Sequence, residues 1–171
     1  MLAALVAEVM KRSAIAWLEY DGSGWPRGVW HVWHEGAAYV VSGGEEQLLP
    51  GIEHAQRVAV TARAKDTRER LVVWIARAST LVPGTAEWQA AVDVLRPQRL
   101  NAVDADRVAD RWSKHSTITR LEPTGEVTEQ PGAHLQGSLA AAPVPSPATT
   151  TGRPPAVIHR RQRRAPDLHA G

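Results

Sequence analysis

Apolar residues along this chain change their period several times, and each change marks an element. Leu2, Leu5, Val6 and Val9 fall at helical spacing, which predicts a short amphipathic helix whose apolar stripe closes one end of a core. Residues 13–20 carry Ile15, Trp17 and Tyr20 and stop at the turn cluster Asp21-Gly22-Ser23-Gly24, with Pro26 just beyond. That is a strand and a loop. Residues 27–34 pass through Glu35-Gly36 into residues 37–42, with β-branched and aromatic side chains on both sides of the connection. A β-hairpin is the natural reading.

Gly43-Gly44 breaks the third strand, and residues 45–49 are expected to form one helical turn before Pro50-Gly51 stops it. Residues 57–65 alternate in period two, with Val58, Val60, Ala62 and Ala64 on one face, so they predict a half-buried strand. Residues 66–70 are a charged turn, and residues 71–82 a long partner strand ending at Pro83-Gly84. Thr85 caps a helix whose Trp88, Ala91, Val92 and Leu95 share one stripe, and Pro97 ends it. Asp104 is expected to cap a second helix, with Val108 and Trp112 at i and i+4, before residues 116–121 form a last strand. Antiparallel hairpins without strand-helix-strand alternation predict an α+β, mainly β domain, a closed or half-closed barrel of six strands rather than a doubly wound sheet.

Composition narrows the chemistry. The chain has no cysteine, which removes disulfides, thiolate metal sites and thiol nucleophiles. Its longest apolar runs fall far short of the roughly 20 residues of a membrane helix. Glu8 lies inside the first apolar stretch and Lys11-Arg12 follow it, the reverse of a secretory signal, so a cytoplasmic protein is expected. The net charge of +2 is carried by arginines after residue 150, while charges cancel over residues 1–124, leaving no basic face suited to nucleic acid. From Gly125 onward, Pro131, Pro143, Pro145, Pro147, Pro154, Pro155 and Pro166 punctuate Ala, Thr and Gly with no apolar periodicity. Residues 125–171 are therefore expected to be a disordered tail, and residues 1–124 the domain. The cluster from His159 to Arg164 reads as its solubilising end.

Three segments in order carry a family resemblance: the Pro26-Arg27 lead-in to the second strand, Gly36 followed by Ala37-Ala38-Tyr39-Val40-Val41-Ser42, and Arg57-Val58-Ala59-Val60-Thr61 before a long partner strand. With the final Leu121-Glu122-Pro123-Thr124-Gly125, they make residues 1–122 resemble the FMN-binding split-barrel superfamily, the pyridoxamine phosphate oxidase-like proteins. The resemblance implies a six-stranded antiparallel split β-barrel with short flanking helices, a homodimer, and FMN or a deazaflavin analogue at the interface. It implies a flavin- or deazaflavin-dependent oxidoreductase acting on a small molecule that the sequence does not name. It also implies a phosphate cage in which Arg27 and Ser42 match the family's Arg and Ser or Thr, with the amides of Gly43-Gly44 as further donors. The family's next basic residues are replaced by Glu45-Glu46-Gln47, and two carboxylates repel a phosphate unless they turn to solvent. That departure motivates a second reading, a cofactor-free binding or structural module. On it, Glu46→Arg with Gln47→Lys should create or strengthen flavin affinity.

Other candidates carry two readings each. His31 lies on the strand face of Arg27, Val29 and Trp33, where it either lines a flavin pocket or sits in a polar notch. Strand alternation puts His34 on the opposite face, so the two do not form a metal site. Arg63 and Lys65 share a strand face and either approach an anionic cofactor or end a solvated hairpin. Trp30, Trp33 and Trp74 either stack on an isoalloxazine ring or belong to core and interface. Ser42, His31 and Asp66 lack the elbow of a hydrolase nucleophile. Trp17, Trp30, Trp33 and Trp74 exceed what one small barrel is expected to enclose, which predicts a two-fold dimer through the barrel faces.

Overall fold

A computed structural model describes residues 2–63, 71–99 and 107–129, all within one compact unit, Met1–Leu135. Helix α1 spans Leu2–Arg12 and buries Val6, Val9 and Met10; of the stripe its spacing predicts, Leu5 is only partly buried and Leu2 stays exposed. The strands are β1 (Ile15–Glu19), β2 (Arg27–Trp30), β3 (Val32–His34), β4 (Ala37–Ser42), β5 (Arg57–Arg63), β6 (Leu71–Thr80) and β7 (Thr117–Glu129). They form one antiparallel sheet in the order β2-β1-β5-β6-β7-β4-β3. Its two edge strands, β2 and β3, are halves of one stretch interrupted at His31, so the sheet nearly closes on itself as a barrel. The stretch expected to be one strand is thus two, and the barrel has seven strands instead of six. The physical reason lies in the pairing, because β2 turns to β1 (Ala16 opposite Val29) while β3 stays with β4 (Trp33 opposite Ala38).

The β3–β4 turn is the expected tight one. Glu35 and Gly36 both take positive φ (45° and 78°), the conformation of a two-residue hairpin loop that matches strand twist. Strand β5 alternates exposed and buried as predicted, with Val58, Val60 and Ala62 inside. Two sequence expectations fail locally. Residues 45–49 form no helical turn; the 3₁₀ turn follows Pro50-Gly51 instead, at Ile52–His54. Strand β7 runs past Thr124 to Glu129, held by pairing of Trp74 with Val127 and Val73 with Glu129 across bulged register shifts in β6–β7. Residues 130–171 lie outside the described residues, as do Ala64, Lys65, residues 66–70 and Asp104.

Two apolar clusters result. Inside the barrel, Leu18, Val29, Val40, Val58, Val60 and Trp74 pack under α1, with Trp33 edge-on to Trp74 at 6.1 Å between ring centres. On the outside of β4 and β7, Val41 and Ile118 are covered by helices α2 (Ala86–Leu95) and α3 (Val108–His115). Thr85 caps α2 by accepting the Trp88 amide at 3.2 Å. No described helix is long and apolar enough to cross a membrane.

Candidate functional site

Arg27 opens β2 at the end of a loop turned by Gly22 and Gly24, both at positive φ. Its guanidinium lies 4.8 Å from the centre of the exposed Trp25 ring, and Nη2 reaches the Ser23 carbonyl only at 3.4 Å. Nε is buried and has no partner among the described residues. A buried guanidinium N–H without an acceptor is rare, and an anionic oxygen is the group that fits it. Tyr20 stands in the same field. Burial raises its phenol above the ordinary value, the Arg27 cation opposes this, and Glu53 adds to it. The Tyr20 hydroxyl donates to the Pro50 carbonyl at 3.1 Å.

Ser42 ends β4, nearly buried, and Gly43-Gly44 turn the chain with φ of 83° and 61°. This turn closes on itself. The Gly43 amide donates to the Gln47 carbonyl at 3.0 Å, and the Glu46 amide to the Gly43 carbonyl at 3.0 Å. The Gly43 amide is therefore spent within the turn and does not point at a phosphate as expected. The glycines serve a close approach instead. A Cβ on Gly44 would sit 3.0 Å from the His115 carbonyl, and Ser116 Oγ donates to the Gly43 carbonyl at 3.1 Å. An open groove of about 490 Å³ runs here between Ser42, Gly43, Glu53, Lys114 and His115. The Lys114 cation and the His115 imidazole in this groove come from the end of α3, far off in sequence, which a strand-by-strand pattern does not show. The only hint was a basic pair just before the last strand.

Glu45-Glu46-Gln47 has a structural explanation. Glu45 is exposed and lies 3.5 Å from Arg111. Glu46 turns inward, where Oε1 accepts from Trp112 Nε1 at 3.0 Å and from Arg99 Nε at 3.0 Å. Gln47 fills the seam between β2 and β4. Its Oε1 accepts the Trp30 amide at 2.8 Å, and its Nε2 donates to the carbonyls of Trp30 and Val41, both at 3.0 Å. One carboxylate has turned to solvent and the other is ion-paired, so neither stands as the bare repulsive charge that the sequence suggested.

The remaining candidates disperse. Arg63 sits exposed at the end of β5, and Lys65 lies outside the described residues. His31 is buried at the β2–β3 break, with Nε2 3.1 Å from the Met10 carbonyl at the end of α1. Trp74 and Trp33 are committed to the barrel core, and Trp30 to the cluster under α2 and α3. Burial pushes the His31 imidazole below its ordinary value, and the bond to Met10 opposes this. Unfolded, it titrates at about 6.5. With the folded value lower, the unfolded chain binds more protons in acid. The stability linked to neutral His31 is therefore full above about pH 6.5 and is lost as pH falls below it. Urea unfolding at about pH 7 and about pH 5 should show a steeper loss for the wild type than for His31→Phe. Equal slopes would contradict this assignment.

On the outer sheet face, Trp17 lies opposite Gly28 on β2 and Thr61 on β5, and Thr61 opposite Val73 on β6. Trp17 and Ile15 keep 40% and 41% of their surface exposed on this apolar face.

No family model matches the chain, and no curated protein matches it in sequence. Solved structures do. A conserved hypothetical protein from Mycobacterium tuberculosis is 15% identical, with 80% of this chain and 93% of that one covered and a TM-score of 0.55. The heme storage protein HutZ from Vibrio cholerae is 14% identical over 74% and 93% of the two chains, with a TM-score of 0.54. A Listeria innocua protein named for pyridoxamine 5'-phosphate oxidase is 14% identical over 74% and 96%, with a TM-score of 0.50. The bent β2–β3 seam, the seven-stranded barrel and these likenesses together give the chain the fold of the pyridoxamine 5'-phosphate oxidase-like split-barrel proteins.

Proposed function

We propose that this protein is a homodimeric, flavin-type cofactor-binding oxidoreductase, taking FMN or a deazaflavin analogue with its phosphate on Arg27. The single observation that carries the reading is the buried, partnerless Nε of Arg27 beside a half-free Nη2. A phosphate oxygen satisfies both nitrogens; the groove beside Ser42 is not lined by Arg27, and its donors Ser42 and Lys114, which share it with Glu53, form a separate set. The bound flavin supplies the hydride chemistry; the chain supplies charge, orientation and an apolar wall. The exposed face around Ile15 and Trp17 supports a two-fold interface, because a symmetric copy buries the same apolar patch twice. A solved neighbour named for pyridoxamine 5'-phosphate oxidase supports the reading at the level of fold.

Titrating the full chain with FMN, and separately with the deazaflavin, should quench tryptophan fluorescence. Arg27→Ala should weaken that affinity about tenfold or more, the expected cost of a charge-assisted contact. Trp17→Glu should turn a dimer into a monomer by light scattering. A colourless protein with no quenching would favour the other reading, a cofactor-free binding module. That reading is supported by the structural commitment of Glu46, Gln47 and the Gly43 amide.

A further inference from the structure

The end of α1 and the β2–β3 break border a half-open cavity of about 520 Å³, lined by Met10, Lys11, Trp30, His31, Trp33 and Gln98 among others. That volume lies in the range of small-molecule sites, and two of its walls are indoles. Arg27 and Ser42 do not line it, so it lies apart from the phosphate contacts proposed above.

His31 gives this cavity its chemistry. A carbonyl oxygen only accepts, so the contact of Nε2 with the Met10 carbonyl fixes the ring proton on Nε2. In the neutral ring, Nδ1 is then a lone-pair acceptor. It is buried, on a side chain 9% exposed, and it has no partner among the described residues. Folded chains rarely leave such an atom without a donor. We infer that this cavity binds a small aromatic molecule bearing one N–H or O–H donor, which packs against Trp30 and Trp33 and donates to Nδ1 of His31. A purely apolar molecule would fill the space and leave Nδ1 unsatisfied. One with only acceptors would oppose its lone pair.

Phenol and anisole separate these cases, since they share a ring and only phenol donates. In ligand-observed NMR titrations of the full chain at neutral pH, phenol should bind about tenfold more tightly than anisole. Phenol should also move the ring-nitrogen resonance of Nδ1 in His31, and anisole should not. In His31→Phe the preference should vanish. Equal affinities, a preference that survives in His31→Phe, or no phenol binding at all overturns the proposal, the last meaning that only water occupies the cavity. Should His31→Phe fail to fold, the nitrogen resonance of the wild type decides alone, and no movement at saturating phenol overturns the proposal.

Discussion

Glu46→Ala is expected to cost about 3 kcal/mol of stability, a large share of the roughly 5–15 kcal/mol that holds a domain of this size. The Glu46 carboxylate is almost wholly buried. It accepts the indole N–H of Trp112, itself fully buried, and the ion pair with Arg99 neutralises it. Truncation leaves that indole N–H in the outer core with no acceptor, which alone costs about 1–3 kcal/mol. It also removes the carboxylate that faces Arg99, whose side chain is a quarter exposed and so regains part of its hydration. Glu46→Gln keeps an oxygen for Trp112 but not the charge, and should fall between the two. Urea unfolding followed by tryptophan fluorescence measures all three. A Glu46→Ala protein within about 1 kcal/mol of wild type would show that the cluster is not structural.

The same geometry changes what the tripeptide after β4 means. As a sequence, Glu45-Glu46-Gln47 stands where a phosphate cage would want cations, and on that reading replacing Glu46 and Gln47 with Arg and Lys restores one. In the fold, Glu46 holds α3 through Trp112 and Gln47 holds the barrel seam. The double substitution is therefore expected to weaken the domain before it adds any affinity.

Elements governed by local period were legible in the chain. The alternation of Val58, Val60 and Ala62, the stripe under α2 with its Thr85 cap, and the Glu35-Gly36 hairpin all follow from near neighbours. The split at His31 was not, because it reflects a choice between two partner strands, β1 and β4, that no local pattern encodes. Nor was the end of β7, whose residues beyond Thr124 lose their apolar period yet pair with β6 through bulges. At the site, Arg27 and Ser42 were readable from their places at strand ends. Lys114, His115 and the Glu46–Trp112 bond were not, since they join residues about seventy apart. Periodicity shows which face a side chain takes, and only topology shows what meets it there.

Gln47 offers the sharpest test of the seam. Its amide takes the place of the missing β2–β4 ladder, accepting from the Trp30 amide and donating to the carbonyls of Trp30 and Val41. Gln47→Ala removes all three bonds and leaves a partly buried Trp30 N–H unsatisfied, so a loss of about 2–4 kcal/mol is expected. Gln47→Glu has the same shape but no donor. At neutral pH it points carboxylate oxygens at two carbonyl oxygens, and it should be at least as destabilising as the alanine. Those carbonyls raise the pKa of a glutamate placed there above its unfolded value of about 4.3. A raised folded pKa means that the folded state binds the extra proton, so the Gln47→Glu penalty should shrink as pH falls toward that value, while the Gln47→Ala penalty stays flat. Amide exchange at Trp30 should quicken in both variants. If Gln47→Glu were as stable as the wild type at neutral pH, the Gln47 amide would not be what closes the barrel.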